Sequence, residues 1–241
     1  MTRFDESTSS AVLPEGMRGH WYNDSAFDAD DPWASLRADR TAIVLVDLIN
    51  WQSDPAGTNL QILRAAGSTT QADHLERRLA STLLPRLVEV LAAARNAGVL
   101  VVHARLATRT YDASDVVPAL APYVHAAGAR EGTWGADPLP ALGPDPRDLS
   151  VVKSGSGAFT GSDLDRELRS RGIDTLLWAG AVTNACVLLS VSTGFDLGYR
   201  QYLVTDCTAA LSDADQAAAK HFIGAYPAQL VTAVQVLDAL V

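Results

Sequence analysis

The stretch DTLLWAGAVTNACVLLSVSTGFDLG, residues 174–198, decides the fold. Its first part is a continuous apolar run of the kind that forms strands buried on both faces. A turn of small residues, GAVTNA, leads directly into a second apolar run carrying Cys186, which ends at Gly198. A strand that feeds a helix through so short a turn is half of a βαβ unit, and such units build parallel sheets.

Working outward, the same alternation repeats. Upstream, LSVVK reads as a strand, and SDLDRELRSRG as a helix with Ser162 as N-cap and Gly172 as its stop. Downstream, RQYLVTD is a strand, and SDADQAAAKHFIGAY and VTAVQVLDAL are helices. Toward the N-terminus, TAIVLVD is a strand ending at Asp47. A helical periodicity covers 71–96, with Pro85 marking a break or kink and Gly98 a C-terminal cap, before the strand VLVVHA. Residues 108–147, rich in Gly, Pro and Asp, form a long loop with room for a short helix, and loops of this length in compact domains are often functional. The order predicts a three-layer α/β/α domain over 39–241, Rossmann-like, around a mostly parallel sheet of five to six strands. Residues 1–38, with an Asp28–Asp30–Asp31 cluster among Trp21, Tyr22, Phe27 and Trp33, cannot form a core of their own and read as an arm packing on the body or a neighbouring subunit.

The chain has 241 residues, 48% hydrophobic and 20% charged, which is an ordinary globular composition. A net charge of -9 argues against nucleic acid or an anionic membrane as partner and leaves small molecules and proteins. No apolar run approaches the roughly 20 residues that span a bilayer. Cys186 and Cys207 are too few for a disulfide framework and no secretory segment opens the chain, so a cytoplasmic location is expected. Seventeen Arg stand beside two Lys, Lys153 and Lys220. In a chain that uses Arg so consistently, a surviving Lys is a candidate for a role that Arg cannot fill. Lys220, on the polar face of its helix, fits chance equally well.

Ligands of open parallel sheets bind at the carboxyl ends of the strands. Asp47, Lys153 and the turn before Cys186 all fall there. A thiol at a helix N-terminus beside an ammonium favours its thiolate. Asp47 would accept the thiol proton and return it to a leaving amine, with Lys153 holding both partners in register. Backbone N–H groups of the GAVTNA turn are free to face a developing oxyanion. A free cysteine on an apolar helix is also a common core residue, and an Asp at a strand end a common cap. The residues by themselves leave both readings open. Cys207 reads as structural.

The segments TAIVLVDLIN, EGTWGADPLPAL, VVKSGSGAF and DTLLWAGAVTNACVLLSVSTGFDLGYRQYLVTDCTAA resemble the isochorismatase-like cysteine hydrolase superfamily over roughly 40–235. The most specific match is G-x-x-T-x-x-C-V, here Gly180, Thr183, Cys186 and Val187. The resemblance implies a catalytic triad of Asp47, Lys153 and Cys186, a cis peptide bond at Ala181–Val182, and an oxyanion hole from the N–H groups of Val182 and Cys186. It also implies a homodimer or homotetramer, with the 1–38 arm at the interface. Among the branches, the long arm and DLINWQSDPAGTNL are most similar to that of N-carbamoylsarcosine amidase and maleamate amidase. The Asp and His metal cluster that follows the catalytic Asp in the nicotinamidase branch has no counterpart in NWQSDPAGTNL, so neither a metal nor a cofactor is expected. His103 reads as a satisfied strand residue.

The expected activity is therefore hydrolysis of a small carboxamide or carbamoyl/ureido compound through a thioester, with Asn50, Trp51, Arg105, Phe159 and Thr183 as candidate pocket residues. Trp51 also fits a core plug and Arg105 a paired surface residue. Two alternatives stand beside this: a vinyl-ether hydrolase of isochorismatase type using Asp47 as acid, and a non-catalytic binding member of the fold. The cysteine favours attack on a carbonyl over the first, and the complete Asp, Lys and Cys set argues against the second.

Overall fold

A computed structural model describes residues 36–240. Of the expected arm, only residues 36–38 fall within it; the rest lies outside the described residues. Six parallel strands form one sheet: β1 (Thr41–Val46), β2 (Leu100–Leu106), β3 (Leu149–Lys153), β4 (Thr175–Ala181), β5 (Arg200–Ala209) and β6 (Gln229–Val231). Their spatial order is β3-β2-β1-β4-β5-β6. The chain reverses its direction of winding between β1 and β4, so a crevice opens there at the carboxyl edge of the sheet.

β1 is buried along its whole length, and its side chains alternate between two cores. Ile43 and Leu45 pack beneath the helices α3 (Thr69–Arg78) and α4 (Leu84–Ala97), through Leu75, Leu87 and Leu91. Ala42, Val44 and Val46 face the other layer, formed by α6 (Leu164–Ser170), α7 (Leu188–Asp196) and α8 (Asp213–Ala225), which contributes Leu168, Val191 and Ile223. The two short helices α1 (Asn50–Ser53) and α2 (Thr58–Ala65) follow β1, α5 (Ala121–Ala126) sits in the long 108–147 loop, and α9 (Ala233–Ala239) closes the chain. No helix among the described residues is long and apolar enough to cross a membrane.

Several boundaries differ from the sequence reading. The helical segment expected over 71–96, with a break or kink at Pro85, is two helices joined by one wide π turn, Leu79–Leu83, that lies just before Pro85 in the first turn of α4. Proline lacks the amide that a continuous helix needs and its ring crowds the preceding turn, so the chain widens just before it. Ser162 is not the N-cap of α6. Asp163 holds that position, while Ser162 Oγ accepts from Leu164 N (3.3 Å) and donates to the Ala158 carbonyl (2.6 Å). The short strand β6 follows α8 and was too brief to show a period. Gly98 caps α4 in the left-handed region at φ 81°, as the sequence suggests.

Candidate active site

Asp47 is the first residue after β1 and lies in the left-handed region at φ 56°, a strained conformation for a residue with a side chain. It is fully buried. Oδ1 accepts from the Leu106 N–H at the end of β2 (2.8 Å), and Oδ2 lies 2.9 Å from Lys153 Nζ in an ion pair without a well-aligned hydrogen bond. Lys153 ends β3, two strands from β1, and its register partner on β2 is Leu106. The long side chain passes over that strand to reach Asp47. Its ammonium also donates to the carbonyls of Gly155 (2.9 Å) and Ser156 (2.7 Å), so two of its protons have backbone acceptors while its charge is met by Asp47 in the ion pair. That is a geometry for a compact tetrahedral cation, not a planar guanidinium.

The third element comes from β4. At Gly180, the register partner of Val46, φ is 126°, and a Cβ would stand 2.2 Å from the Val46 carbonyl oxygen. Only glycine lets β4 run this close to β1 at the point where both strands deliver site residues. The Ala181–Val182 peptide bond is cis. A wide turn, Thr183–Val187, then carries Cys186 and passes into α7. π turns of this sort recur at functional sites because they re-aim one side chain within an otherwise regular element.

Cys186 is 8% exposed and faces the Asp47 carboxylate. Its thiol is pushed up to about 12, first by burial and then by the Asp47 charge, while the Lys153 ammonium and the Val182 N–H directed at the sulfur pull the other way. The expected thiolate-favouring environment is thus corrected. Burial and the neighbouring carboxylate outweigh Lys153, and the resting group is a protonated thiol beside its acceptor. Cys207, in contrast, is fully buried in the core beneath α3 and α4, and burial raises its thiol as well.

A cavity of about 230 Å³ opens in front of Cys186, bounded by Gln52, Ser53, Asn59, Tyr123, Ser156, Ala181, Val182, Ala185 and five leucines. None of the five residues expected to bind substrate lines it. Asn50 turns away to donate to the Trp134 carbonyl (2.8 Å). Trp51 is a core plug, its Nε1 donating to the Leu106 carbonyl (3.0 Å) and its ring meeting Tyr123 edge-on. Arg105 donates to the Ala136 carbonyl (2.7 Å) and lies 3.7 Å from Glu131. Phe159 stacks on Tyr199 and packs against Trp178, and Thr183 donates to Gln216 Oε1 (2.8 Å). Residues the sequence did not single out take their place. Tyr123, on α5, donates to Asn59 Oδ1. Its hydroxyl is pushed up to about 12 by burial and by the nearness of Cys186. The only sequence hint of Tyr123 is the length of the loop that contains it.

Ser190, fully buried on α7, ties the site together. Its Oγ donates to the Cys186 carbonyl (2.6 Å) and accepts from the Ala158 N–H (2.8 Å), linking the cysteine turn to the loop after Lys153. Among the described residues no group of three or more His, Cys, Asp and Glu side chains could hold a metal ion. His103 lies 3.1 Å from Asp148 Oδ2.

The chain is 28% identical over 188 residues to the ureidoacrylate amidohydrolase RutB of Azorhizobium caulinodans, an alignment covering 72% of this chain and 78% of that one. It is 40% identical over 96 residues to the isochorismatase family protein YwoC of Bacillus subtilis, there spanning half of the relative's length and 40% of its own. A cysteine hydrolase from Pseudomonas syringae pv. phaseolicola superposes with a TM-score of 0.70 at 25% identity, covering 85% of this chain and 94% of the other. The N-carbamoylsarcosine amidase of Thermoplasma acidophilum shares the fold with a TM-score of 0.60 at 22% identity, covering 80% and 96%. The isochorismatase domain model matches residues 41–235, and the chain therefore belongs to the isochorismatase family of hydrolases.

Proposed function

We propose that the protein is a cysteine amidohydrolase that cleaves a small carboxamide or carbamoyl compound through a thioester, with Cys186 as nucleophile, Asp47 as proton carrier and Lys153 as the group that fixes Asp47. The observation that carries this reading is Cys186 facing a buried carboxylate whose Oδ2 lacks a well-aligned donor, at the wall of a cavity sized for a small substrate. The names of two similar proteins, a ureidoacrylate amidohydrolase and an N-carbamoylsarcosine amidase, support C–N bond cleavage.

In the forward step the thiol proton passes to Asp47 as the sulfur bonds to the carbonyl carbon, and the oxygen takes the negative charge. The N–H groups of Val182 and Cys186 are the proposed donors to that oxyanion, an interaction worth about 3 kcal/mol per donor in acyl-transfer sites. Collapse of the tetrahedral species breaks the C–N bond, and Asp47 returns its proton to the departing nitrogen, which leaves as ammonia or an amine. Water, deprotonated by Asp47, then attacks the thioester, releasing the acid and restoring the thiol. Each proton taken by Asp47 is given back, so the cycle needs no cofactor.

Ammonia release from a panel of small amides and ureido compounds tests the reading. Cys186→Ala should abolish release on every active compound while keeping the wild-type melting midpoint. Retained turnover in that variant would contradict a thioester route.

A further inference from the structure

The chemistry of the cavity wall goes further than the reacting atoms. Leu63, Leu75, Leu106, Leu120 and Leu211 supply most of its side-chain surface away from Cys186. Three of the polar side chains at the wall are already engaged, and the two others, Gln52 and Ser156, are uncharged. Ser53 Oγ donates to the Asp47 carbonyl (3.0 Å), Asn59 Nδ2 donates to the Gln52 carbonyl (2.9 Å), and Tyr123 donates its hydroxyl proton to Asn59.

Cations are equally committed. Lys153 is held by two carbonyls and Asp47, Arg105 is turned to Ala136 and Glu131, and Arg78 donates to the carbonyls of Thr205 (3.2 Å) and Thr208 (2.8 Å). Among the described residues, no Lys or Arg borders the cavity, and the charge nearest the thiol in its surroundings includes the Asp47 carboxylate. A substrate carboxylate here would lose its hydration without a cation at the wall to meet it, whereas an aliphatic chain would gain by leaving water. At about 230 Å³ the space exceeds the roughly 150 Å³ apolar cavity that accepts benzene. It therefore suits an acyl group of about five to seven carbons.

From the leucine wall, the uncharged polar groups and the committed cations, we infer that the enzyme acts on neutral aliphatic carboxamides in preference to amido or ureido acids. This rests on the amidohydrolase reading above. The reaction itself is RCONH2 plus water giving RCOOH and ammonia by way of the Cys186 thioester. The acid ionises as it forms, and an anion in this cavity is expelled by the same forces that favour the neutral substrate, so product inhibition should be weak.

Two amides of matched shape provide the test on the wild-type chain: 4-methylpentanamide, and succinamate, in which a carboxylate replaces the isopropyl group. Ammonia release gives kcat/KM for each, and protection of Cys186 from iodoacetamide, read by peptide mass spectrometry, reports binding independently of turnover. The inference predicts a kcat/KM at least 100-fold higher for 4-methylpentanamide, and no protection by succinamate at concentrations where the neutral amide is hydrolysed or protects. Equal or preferred hydrolysis of succinamate would overturn the substrate class and leave the amidohydrolase reading intact. Protection by 4-methylpentanamide alone, with neither compound hydrolysed, would support the neutral pocket and count against the amidohydrolase reading. The absence of both hydrolysis and protection with the neutral amide would overturn the inference.

Discussion

Two clusters of buried charge sit at opposite ends of β3, and only one is built for chemistry. At its entry, Asp148 accepts from Arg95 Nη2 (2.7 Å) and Nε (3.2 Å) and from the Asp145 N–H (3.0 Å), and it lies 3.1 Å from His103 Nε2. Burial alone would raise that carboxyl, but the His103 and Arg95 bonds outweigh it and hold it well below the usual carboxylate range. At the exit, Asp47 has one backbone donor and one ion pair, its Oδ2 lacks a well-aligned hydrogen bond, and a protonated thiol stands in front of it. A saturated carboxylate locks the fold; one left with spare acceptor capacity beside a donor can carry a proton.

Exchanging each acid for its amide should separate the two roles most sharply. Asp47→Asn should lower hydrolysis per folded molecule by about 10⁴-fold or more, a loss of the size seen when one member of a triad is removed, and should also cost about 3 kcal/mol because it leaves the fully buried Lys153 without its countercharge. Asp148→Asn should also destabilise the protein, by up to about 3 kcal/mol, since it strips the half-buried Arg95 of its countercharge, but activity per folded molecule should change less than about twofold. Urea titrations read beside initial rates check both. Similar profiles for the two variants would erase the distinction.

Lys153→Arg comes next. A guanidinium cannot meet Gly155, Ser156 and Asp47 from one point, and a displacement of about 1 Å costs roughly 100-fold in rate. Lys220→Arg on α8 is the control and should stay within about 0.5 kcal/mol of wild type in stability, with unchanged rate. Equal, small effects of the two substitutions would remove Lys153 from the machinery. Ser190→Ala should lower kcat about tenfold with KM little changed, because it loosens the Cys186 turn from the loop after Lys153. It should also cost about 1–3 kcal/mol by leaving the buried Ala158 N–H without its acceptor.

The smallest expected effect is on alkaline stability. The Cys186 thiol rises from its usual value near 9 to about 12 on folding, so the unfolded chain releases this proton first as pH increases. Its stabilising contribution is complete below pH 9 and is lost between about 9 and 12, with a slope of up to about 1.4 kcal/mol per pH unit. Cys186→Ala should therefore lose less stability than wild type between pH 8.5 and 10.5 in paired urea titrations, and identical slopes would contradict the burial argument.

That Asp47 and Lys153 lie at one edge of the sheet was legible in the sequence because parallel strands buried on both faces appear as uninterrupted apolar runs, and these two residues mark where two of those runs stop. Gly180 and the small residues after it mark where β4 must approach β1 and turn. The pocket was not legible, because nearness to a strand end does not say where a side chain points. Arg105 and Leu106 are neighbours in β2, yet alternation sends Leu106 to the cavity and Arg105 to Ala136 and Glu131. Tyr123 and Asn59 reach the site from α5 and α2, whose placement depends on irregular loops with no period to read. Asp148 was missed for a related reason, since its partners Arg95 and His103 lie more than 40 positions away and meet it only in the folded chain.

On this reading Cys186 rests as a thiol kept neutral partly by the Asp47 charge, and hydrolysis needs that carboxylate to carry the thiol proton to the departing nitrogen. The rate of Cys186 alkylation by iodoacetamide in wild type and Asp47→Asn, followed by peptide mass spectrometry at pH 8 beside amide hydrolysis, tests it directly. Removing the carboxylate charge should let the thiolate form more readily, so the variant should alkylate several-fold faster at Cys186 while hydrolysis is lost and the buried Cys207 stays unlabelled in both. Alkylation that slows together with hydrolysis would contradict the account.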